Sequence, residues 1–394
     1  MILRWYLRTS LVLALSALRP AADGGAQEIA GRLGEPDATF QEAFAQVQRV
    51  RELPDGRVMV ADPLGQVLVV LDLETGSADT LGGVGQGPGE YRQPDAVFAL
   101  PGDSTLLVDL GNARMIIVAP DGSFAETMPM TGGEPGPGAG LMIIRPAGVD
   151  ASGRIYFEPF GGGIGGAIPD SSPIVRWDRR TGVMDTVARV KRPEMKRSES
   201  GGAGDRSVSI MPVPLSPEDA WAVAPDGRVA VARAPDYRVD WIAPDGRVVR
   251  GEPVAYDPVR IRSADREEWL EGLGGGLRVS LSVENGQRRV SLGRGSGGHG
   301  GPDPERLEWP EFKPPFMANR VWVTPTGEVW VRRHVPAGRP GEIDIFAAGG
   351  VRRGNLTLPP HRRIVGFGRG VVFLVHTDEM GLQWLEGYRR PAGT

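Results

Sequence analysis

Six polar residues recur at one position of a repeated pattern and could together recognise a ligand. Each stands where a predicted strand gives way to a loop, and the set is Asp62, Asp109, Glu158, Arg233, Arg332 and His376. Binding side chains concentrate on loops held by a rigid scaffold, so these residues are candidates for a polar rim around a ligand. The alternative is that each side chain caps a turn or bridges neighbouring strands. The shared repeat position of Asp62 and Asp109 favours that structural role for these two residues.

Patterns for metal, nucleophilic or phosphate chemistry are otherwise weak. The chain has four histidines, none of them paired at the spacing of zinc ligands, and no cysteine. The Gly-rich segment 82–89 precedes a predicted strand, so it lacks the helix N-terminus that would hold a phosphate. A basic cluster of Arg332, Arg333 and His334 could receive an anionic ligand, or could be solvated at the end of a strand.

A repeated unit positions these residues. Each copy has the pattern of a strand, a turn, a second strand, a polar loop, a third strand and a Gly-containing turn. Six copies are present, at Glu52–Gly76, Ala99–Phe124, Val149–Gly182, Val223–Val249, Val323–Val351 and Val365–Tyr388. Four-stranded antiparallel sheets repeated every roughly 40–50 residues are typical of β-propeller blades.

The turns within the copies have the chemistry of β-hairpins. Asp55-Gly56 and Asp226-Gly227 separate first from second strands, and Asp121-Gly122 and Asp245-Gly246 follow third strands. Asp-Gly favours a hairpin because glycine accepts the positive φ that such turns need. The flanking Val, Ile, Leu and Trp residues suit a buried, pleated surface.

Two long intervals between copies are interpreted as insertions, at about residues 192–218 and 256–318. The second contains Ser263–Leu273, where Ser263 as N-cap predicts one short helix. Most tryptophans fall in strand patterns and are expected in the core. Trp309, in the second insertion, is the exception that could offer a stacking surface to a sugar.

The predicted fold is therefore an all-β, six-bladed propeller of four-stranded antiparallel blades, with one short helix in an insertion. The sixth copy supplies three strands before the chain ends, so its fourth strand is expected from the N-terminal side, around Gln27–Leu33. Closing the ring with both ends of the chain removes the exposed sheet edges that an open array would carry.

One segment, Gly82–Phe124, resembles an NHL-type repeat and its bacterial six-bladed relatives. The matching features are the Gly-rich lead with Glu90-Tyr91, then Pro94, Val108-Asp109, Asn112-Ala113-Arg114 and the Asp121-Gly122 turn. The other copies match in strand order and turns. Many such proteins are exported, and the resemblance implies the fold far more than a function.

A calcium site is implied by a further resemblance. Propeller hydrolases similar to gluconolactonases hold Ca²⁺ with carboxylate and amide oxygens near the starts of inner strands. By that resemblance, the candidate metal ligands here are Asp95, Asp219 and Asn319. No other cofactor is expected.

The first 26 residues are predicted to be a secretory signal peptide, which leaves residues 27–394 for the propeller. Arg4 and Arg8 precede the apolar stretch Leu11–Leu18, which is too short to span a bilayer, and small residues at Gly24-Gly25-Ala26 mark a cleavage site. This predicts a periplasmic or secreted protein. Loss of the segment shifts the formal net charge from −4 to about −6, which argues against nucleic acid or an anionic membrane as partner.

The long loops are expected on one face. Because successive strands alternate in direction, loops between second and third strands and links between copies emerge at the same end of each blade; we call this end the long-loop face. We therefore expect a monomeric, non-catalytic protein that binds a peptide, protein or glycan there. The alternative is a Ca²⁺-dependent, lactonase-like hydrolase with its site at the central channel.

Overall fold

The fold is a six-bladed β-propeller, as the sequence predicted. The computed structural model describes residues 29–132, 142–159, 169–200, 207–272, 277–284, 287–294 and 307–391. The predicted signal peptide, residues 1–26, lies outside the described residues. Within them, no helix is long and apolar enough to cross a membrane.

The first three blades each contain four antiparallel strands in chain order. Blade 1 has strands Val50–Glu52, Val58–Asp62, Val67–Leu71 and Ala78–Thr80. Blade 2 has strands Pro94–Ala99, Thr105–Asp109, Arg114–Val118 and Phe124–Pro129. Blade 3 has strands Gly148–Val149, Ile155–Phe157, Ser171–Trp177 and Met184–Lys191.

The other three blades repeat this order. Blade 4 has strands Ala220–Val223, Val229–Arg233, Arg238–Ile242 and Val248–Val249. Blade 5 has strands Phe316–Val323, Val329–Arg333, Glu342–Phe346 and Arg352–Thr357. Blade 6 has strands Arg362–Phe367, Val371–Thr377 and Gln383–Arg389, followed in its sheet by Ala38–Thr39 from the other end of the chain.

The N-terminal side closes the ring, but with a different segment from the one expected. Ala38–Thr39, and not Gln27–Leu33, pairs with Gln383–Arg389 as the outer strand of blade 6. Residues Ile29–Arg32 instead run parallel to Arg352–Thr357 as a fifth strand of blade 5. Between these two strands the buried Leu33 packs with side chains of blades 5 and 6, so the segment spans the gap between them.

Among the described residues, the core consists of six hydrophobic clusters, each formed mainly where two neighbouring blades face each other. One contains Met59 of blade 1 and Leu107 of blade 2, and the cluster that completes the ring contains Val60 of blade 1 and Phe373 of blade 6. Full burial of one such side chain stabilises the fold by about 1.5–3 kcal/mol. The ring is therefore held together mainly by contacts between blades.

The predicted hairpin turns have the expected geometry. Gly122 has a φ of 84° and Gly227 a φ of 83°, values that other residues adopt only with strain. Two short 3₁₀ turns, Pro101–Asp103 and Leu110–Asn112, occupy further loops of blade 2.

Additional elements extend the long-loop face. Four small strand pairs lie in its loops: Gly83–Val84 with Glu90–Tyr91, Thr131–Gly132 with Met142–Ile143, Met195–Ser200 with Ser207–Pro212, and Leu277–Glu284 with Gln287–Arg294. The predicted helix is present at Ser263–Gly272. Its first intrahelical bond is accepted by the carbonyl of Arg262, which makes Arg262, and not Ser263, the N-cap.

Candidate ligand-binding site on the long-loop face

The two aspartates at the repeat position hold the loops of their own blades. Asp62 accepts hydrogen bonds from the backbone N–H groups of Ala45, Gln46, Leu64 and Gly65 at 2.6–3.1 Å. Asp109 accepts them from the backbone of Arg92 and Gln93 and from the side chains of Asn112 and Arg114. This is the structural role that the repeat position favoured.

The equivalent residues of blades 3 and 4 are also engaged by protein groups. Glu158 accepts a hydrogen bond of 2.6 Å from the indole N–H of Trp221 in the next blade. Arg233 donates to Asp219 at 2.8 Å and to Asp240 at 3.1 Å. The structure thus brings together two predicted site residues, Arg233 and Asp219, as an ion pair.

The last two predicted binding residues differ in their contacts. In blade 6 the ring of His376 lies 6.1 Å from the ring of Trp384. In blade 5, the side chain of Arg332 has neither a hydrogen bond nor an ion pair within the described part of the chain. The six residues lie in six different blades, and their binding roles stay predictions.

The three candidate calcium ligands differ in their surroundings. Asp95 is buried and lies 3.8 Å from the Arg145 guanidinium, and Asp219 accepts bonds from Arg233 and from the backbone of Lys191 and Ala234. Asn319 is exposed in a bulge of the first strand of blade 5. In the described ranges no group of three or more His, Cys, Asp or Glu side chains could hold a metal ion. Calcium binding stays a prediction.

An arginine crosses the central channel. Arg49 precedes the first strand of blade 1, yet its Nη2 lies 3.4 Å from the carbonyl oxygen of Ala147, next to the first strand of blade 3. Its Cζ also lies 4.7 Å from the ring centre of Phe98, on the first strand of blade 2. A side chain from one blade that contacts the inner strands of two others must lie within the channel.

Two guanidinium groups, those of Arg49 and Arg145, act on each other at this level of the channel. Burial lowers the pKa of Arg49 to about 10, and the charge of Arg145 lowers it further in the same direction. Arg49 still has partial solvent contact, so water reaches part of this side chain. Asp95 is close to Arg145, whereas no described carboxylate lies within ion-pairing distance of Arg49.

A separate acidic group lies where blades 3 and 4 meet. Burial raises the pKa of Glu218 to about 7, the carboxylate of Glu158 adds to the rise, and Lys191 and Arg192 oppose it. Glu218 therefore exchanges its proton near neutral pH. Among the described residues it belongs to no group of three or more His, Cys, Asp or Glu side chains that could hold a metal ion.

The ring of Trp309 packs against other residues of the second insertion. The ring of Trp269 packs edge-on against it at 5.4 Å, and the Arg266 guanidinium lies 5.5 Å from its ring centre. Trp241 and Trp330 are buried in the core, as expected of the strand tryptophans.

Sequence reasoning missed Arg49 and Arg145. Both lie near the start of the first strand of a blade, as do Asp95, Asp219 and Asn319, which were selected for their oxygen atoms. A search for basic residues near the starts of these strands would have found both arginines. Their proximity across blades 1 and 3 has no counterpart in sequence spacing.

The fold defines the class of protein as a six-bladed β-propeller, as the resemblance to NHL-type repeats implied. No family model and no curated protein matches the chain. A member of the DUF4221 family from Bacteroides vulgatus is similar in structure, with 9% identity, a TM-score of 0.44 and coverage of 92% of this chain and 96% of that chain.

Two further solved structures show comparable likeness. The calcium-binding protein regucalcin from Agrobacterium tumefaciens has 11% identity and a TM-score of 0.41, and covers 90% of this chain and 96% of its own. A Bacteroides fragilis protein described as exported has 12% identity and a TM-score of 0.43, with coverage of 94% and 97%. At these identities the likeness concerns the fold alone.

Proposed function

We propose that this chain is an exported, non-catalytic β-propeller that binds a carboxylate-rich peptide, protein or glycan on its long-loop face. Arg49 and Arg145 at the channel mouth receive the anionic groups. The observation that carries the proposal is Arg49, a partly buried cation at the channel mouth without a carboxylate partner among the described residues.

The energetic reason is the cost of a desolvated charge. A guanidinium taken out of water is stabilised by an anion, and a guanidinium–carboxylate pair is both strong and directional. Burial and the neighbouring Arg145 already lower the pKa of Arg49, which shows that the site disfavours its positive charge. A bound carboxylate would offset the unfavourable free energy of the positive charge on Arg49.

The same positive charges disfavour the binding of a cation in the channel. A Ca²⁺ ion would have to compete with Arg145 for Asp95 and with Arg233 for Asp219. It would also meet the field of Arg49, which repels it. These contacts support a binding protein for acidic ligands over the calcium-dependent hydrolase.

Export and the binding face support the same conclusion. The predicted signal peptide places the propeller outside the cytoplasm, where acidic polysaccharides and polypeptides are accessible. The short turns at the other end of the blades leave less surface for recognition, whereas the loops around Arg49 and Arg145 offer a broad one.

The test uses two acidic polymers, polyglutamate and polygalacturonate, with neutral dextran as the reference. The chain of residues 27–394 is expected to bind at least one acidic polymer saturably. The substitution Arg145→Ala should weaken that binding by about tenfold or more, equal to about 1.4 kcal/mol. Arg247→Ala is the matched control, because Arg247 is exposed in a short turn on the opposite face.

The outcomes separate the alternatives. Loss of binding in Arg145→Ala with retention in Arg247→Ala supports the site, and the preferred polymer tells peptide from glycan. Equal binding by both variants and the parent chain, or no preference over dextran, overturns the proposal.

A further inference from the structure

Blade 5 carries a second group of cationic side chains, away from the pair in blades 1 and 3. Arg332 lies near the end of the second strand of blade 5, and His334 follows just after it. Lys313 returns from the second insertion to the same place. We call this group, together with Gly341 and Glu268, the blade 5 recess.

Two neighbouring cations are already neutralised by protein groups. Arg333 lies 3.3 Å from Glu342 and 3.7 Å from Asp344. Lys313 is 2.7 Å from Asp265, and it donates a hydrogen bond of 2.8 Å to the carbonyl of Val335. The charges of these two residues are therefore committed to holding the fold.

Arg332 and the His334 imidazole differ from them. Within the described residues neither side chain has a hydrogen bond or ion pair, although the backbone N–H of His334 donates to Pro315. Burial lowers the pKa of Arg332, and the carboxylate of Glu268 opposes the shift. Both side chains keep partial solvent contact, so a small ligand can reach them from solvent.

His334 is neutral in this recess. Burial lowers its pKa to about 3; Lys313 and Arg332 lower it too, while Asp265 acts in the opposite direction. A neutral imidazole offers one N–H donor without adding a third positive charge to the site. It can therefore complement Arg332 as a donor at any pH near neutrality.

Gly341 leaves room for the Arg332 guanidinium. A Cβ atom built on Gly341 would lie 3.0 Å from Nη2 and 3.2 Å from Cζ of Arg332. The guanidinium thus lies against the bare backbone of the loop that follows the second strand. This contact positions the planar group at the recess without using its hydrogen-bond donors.

We propose that the blade 5 recess binds a small tetrahedral oxyanion, free or carried on a larger ligand, through the Arg332 guanidinium and the His334 N–H. The planar guanidinium matches two oxygens of such an anion, and the imidazole reaches a third. The site lies in a different blade from Arg49 and Arg145, so it is independent of the channel-mouth function.

The exposed Glu268 carboxylate allows a test of whether a negative charge near Arg332 weakens anion binding. It is the acidic group whose charge acts on Arg332, and it opposes an incoming anion. Removing its charge in Glu268→Gln should strengthen oxyanion binding by about two- to threefold, as expected for a partly screened charge. A merely structural role for Arg332 would leave affinity unchanged in that variant.

The experiment titrates the 27–394 chain by calorimetry with inorganic sulfate and, separately, with glucose 6-sulfate. Sodium chloride keeps the ionic strength constant. Arg332→Ala is expected to reduce affinity about tenfold or more, whereas Arg247→Ala should leave it unchanged. Arg332→Lys keeps the charge but not the planar guanidinium, and its affinity for the anion should fall by at least about threefold. This variant replaces Arg332→Ala if Arg332→Ala does not fold.

Each outcome decides the proposal. A loss confined to the Arg332 variants supports it, and the tighter of the two sulfates shows whether the anion is free or carried. Absence of saturable binding to the parent chain, or a loss confined to Arg145→Ala, overturns it. Failure of acidic-polymer binding alone would overturn the channel-mouth function and leave this site standing.

Discussion

Asp265 and Lys313 form a buried ion pair across the second insertion, with 2.7 Å between Lys313 Nζ and Asp265 Oδ1. Asp265 belongs to the helix near the start of the insertion, and Lys313 to the segment that returns to blade 5. The two Asp265 oxygens also accept the backbone N–H groups of Arg262 and Ala337, each at 2.8 Å. The pair therefore closes the insertion on itself and fixes it to the loop beside His334.

Lys313→Met should release the insertion, because it leaves Asp265 buried without its cation. Breaking one partner of a buried pair costs about 3–5 kcal/mol. We expect faster hydrogen exchange in the helix Ser263–Gly272 and a lower midpoint of thermal unfolding. The control is Arg260→Ala, which removes an exposed pair with Glu311 in the same insertion and should cost less than about 1 kcal/mol. Equal exchange in the two variants would contradict this account.

Tyr237 links blades 4 and 5 through a hydrogen bond from its hydroxyl to Asp344, a carboxylate that also pairs with Arg352. Burial raises the pKa of Tyr237 well above its ordinary value, and the Asp344 charge adds to the rise. Tyr237→Phe should destabilise the fold by about 1.5–3 kcal/mol, the range for bonds to charged groups.

Urea unfolding measures the effect of Tyr237→Phe. Tyr256→Phe is the matched control, since the ring of Tyr256 packs edge-on against Tyr237 at 5.9 Å. Removing that second hydroxyl should change the free energy of unfolding by less than about 0.5 kcal/mol. Similar losses in the two variants would show that the bond to Asp344 is not the cause.

Glu218 should make stability depend on pH. Its folded pKa, about 7, is higher than that of an unfolded glutamate, so folding favours the protonated form. The resulting stability is complete below the unfolded pKa and is lost as pH rises through about 7. Glu218→Gln cannot ionise. Its free energy of unfolding should exceed that of the parent chain by about 1–3 kcal/mol at pH 8 and by little at pH 4.

The difference between parent and variant isolates Glu218 from the other carboxylates. Urea unfolding at several pH values from 4 to 8 measures it, with the exposed Glu267→Gln as control. A parent–variant difference that does not change with pH would show that Glu218 remains charged in the fold.

Removal of the closing strand should open the ring. A chain that begins at Gln41 lacks Ala38–Thr39 and the buried Phe40, whereas a chain that begins at Gly34 keeps them and loses the fifth strand of blade 5 together with Leu33. We expect the Gly34 chain to unfold in one cooperative transition. The Gln41 chain should aggregate or unfold in separate steps, because blade 6 then presents an unpaired edge. Cooperative unfolding of both chains, measured by calorimetry, would show that another contact closes the ring.

The amino-acid sequence by itself determined the number of blades, the order of their strands and the hairpin turns. These depend on local chemistry, such as glycine at the positive φ of Gly122 and Gly227, and on a repeat that places similar strands at similar spacing. It also determined that Asp62 and Asp109 share one role, because each accepts hydrogen bonds from residues 16 and 17 positions earlier and from residues a few positions later in the chain.

The tertiary structure alone decided which charges meet. Arg49 reaches Phe98 and Ala147, Lys313 reaches Asp265, and residues 38–39 rather than 27–33 complete blade 6. Such contacts join segments far apart in the chain, and their partners depend on how neighbouring blades pack and on where the loops return. Periodicity predicts each sheet, but it contains no information on the distance between side chains of different sheets.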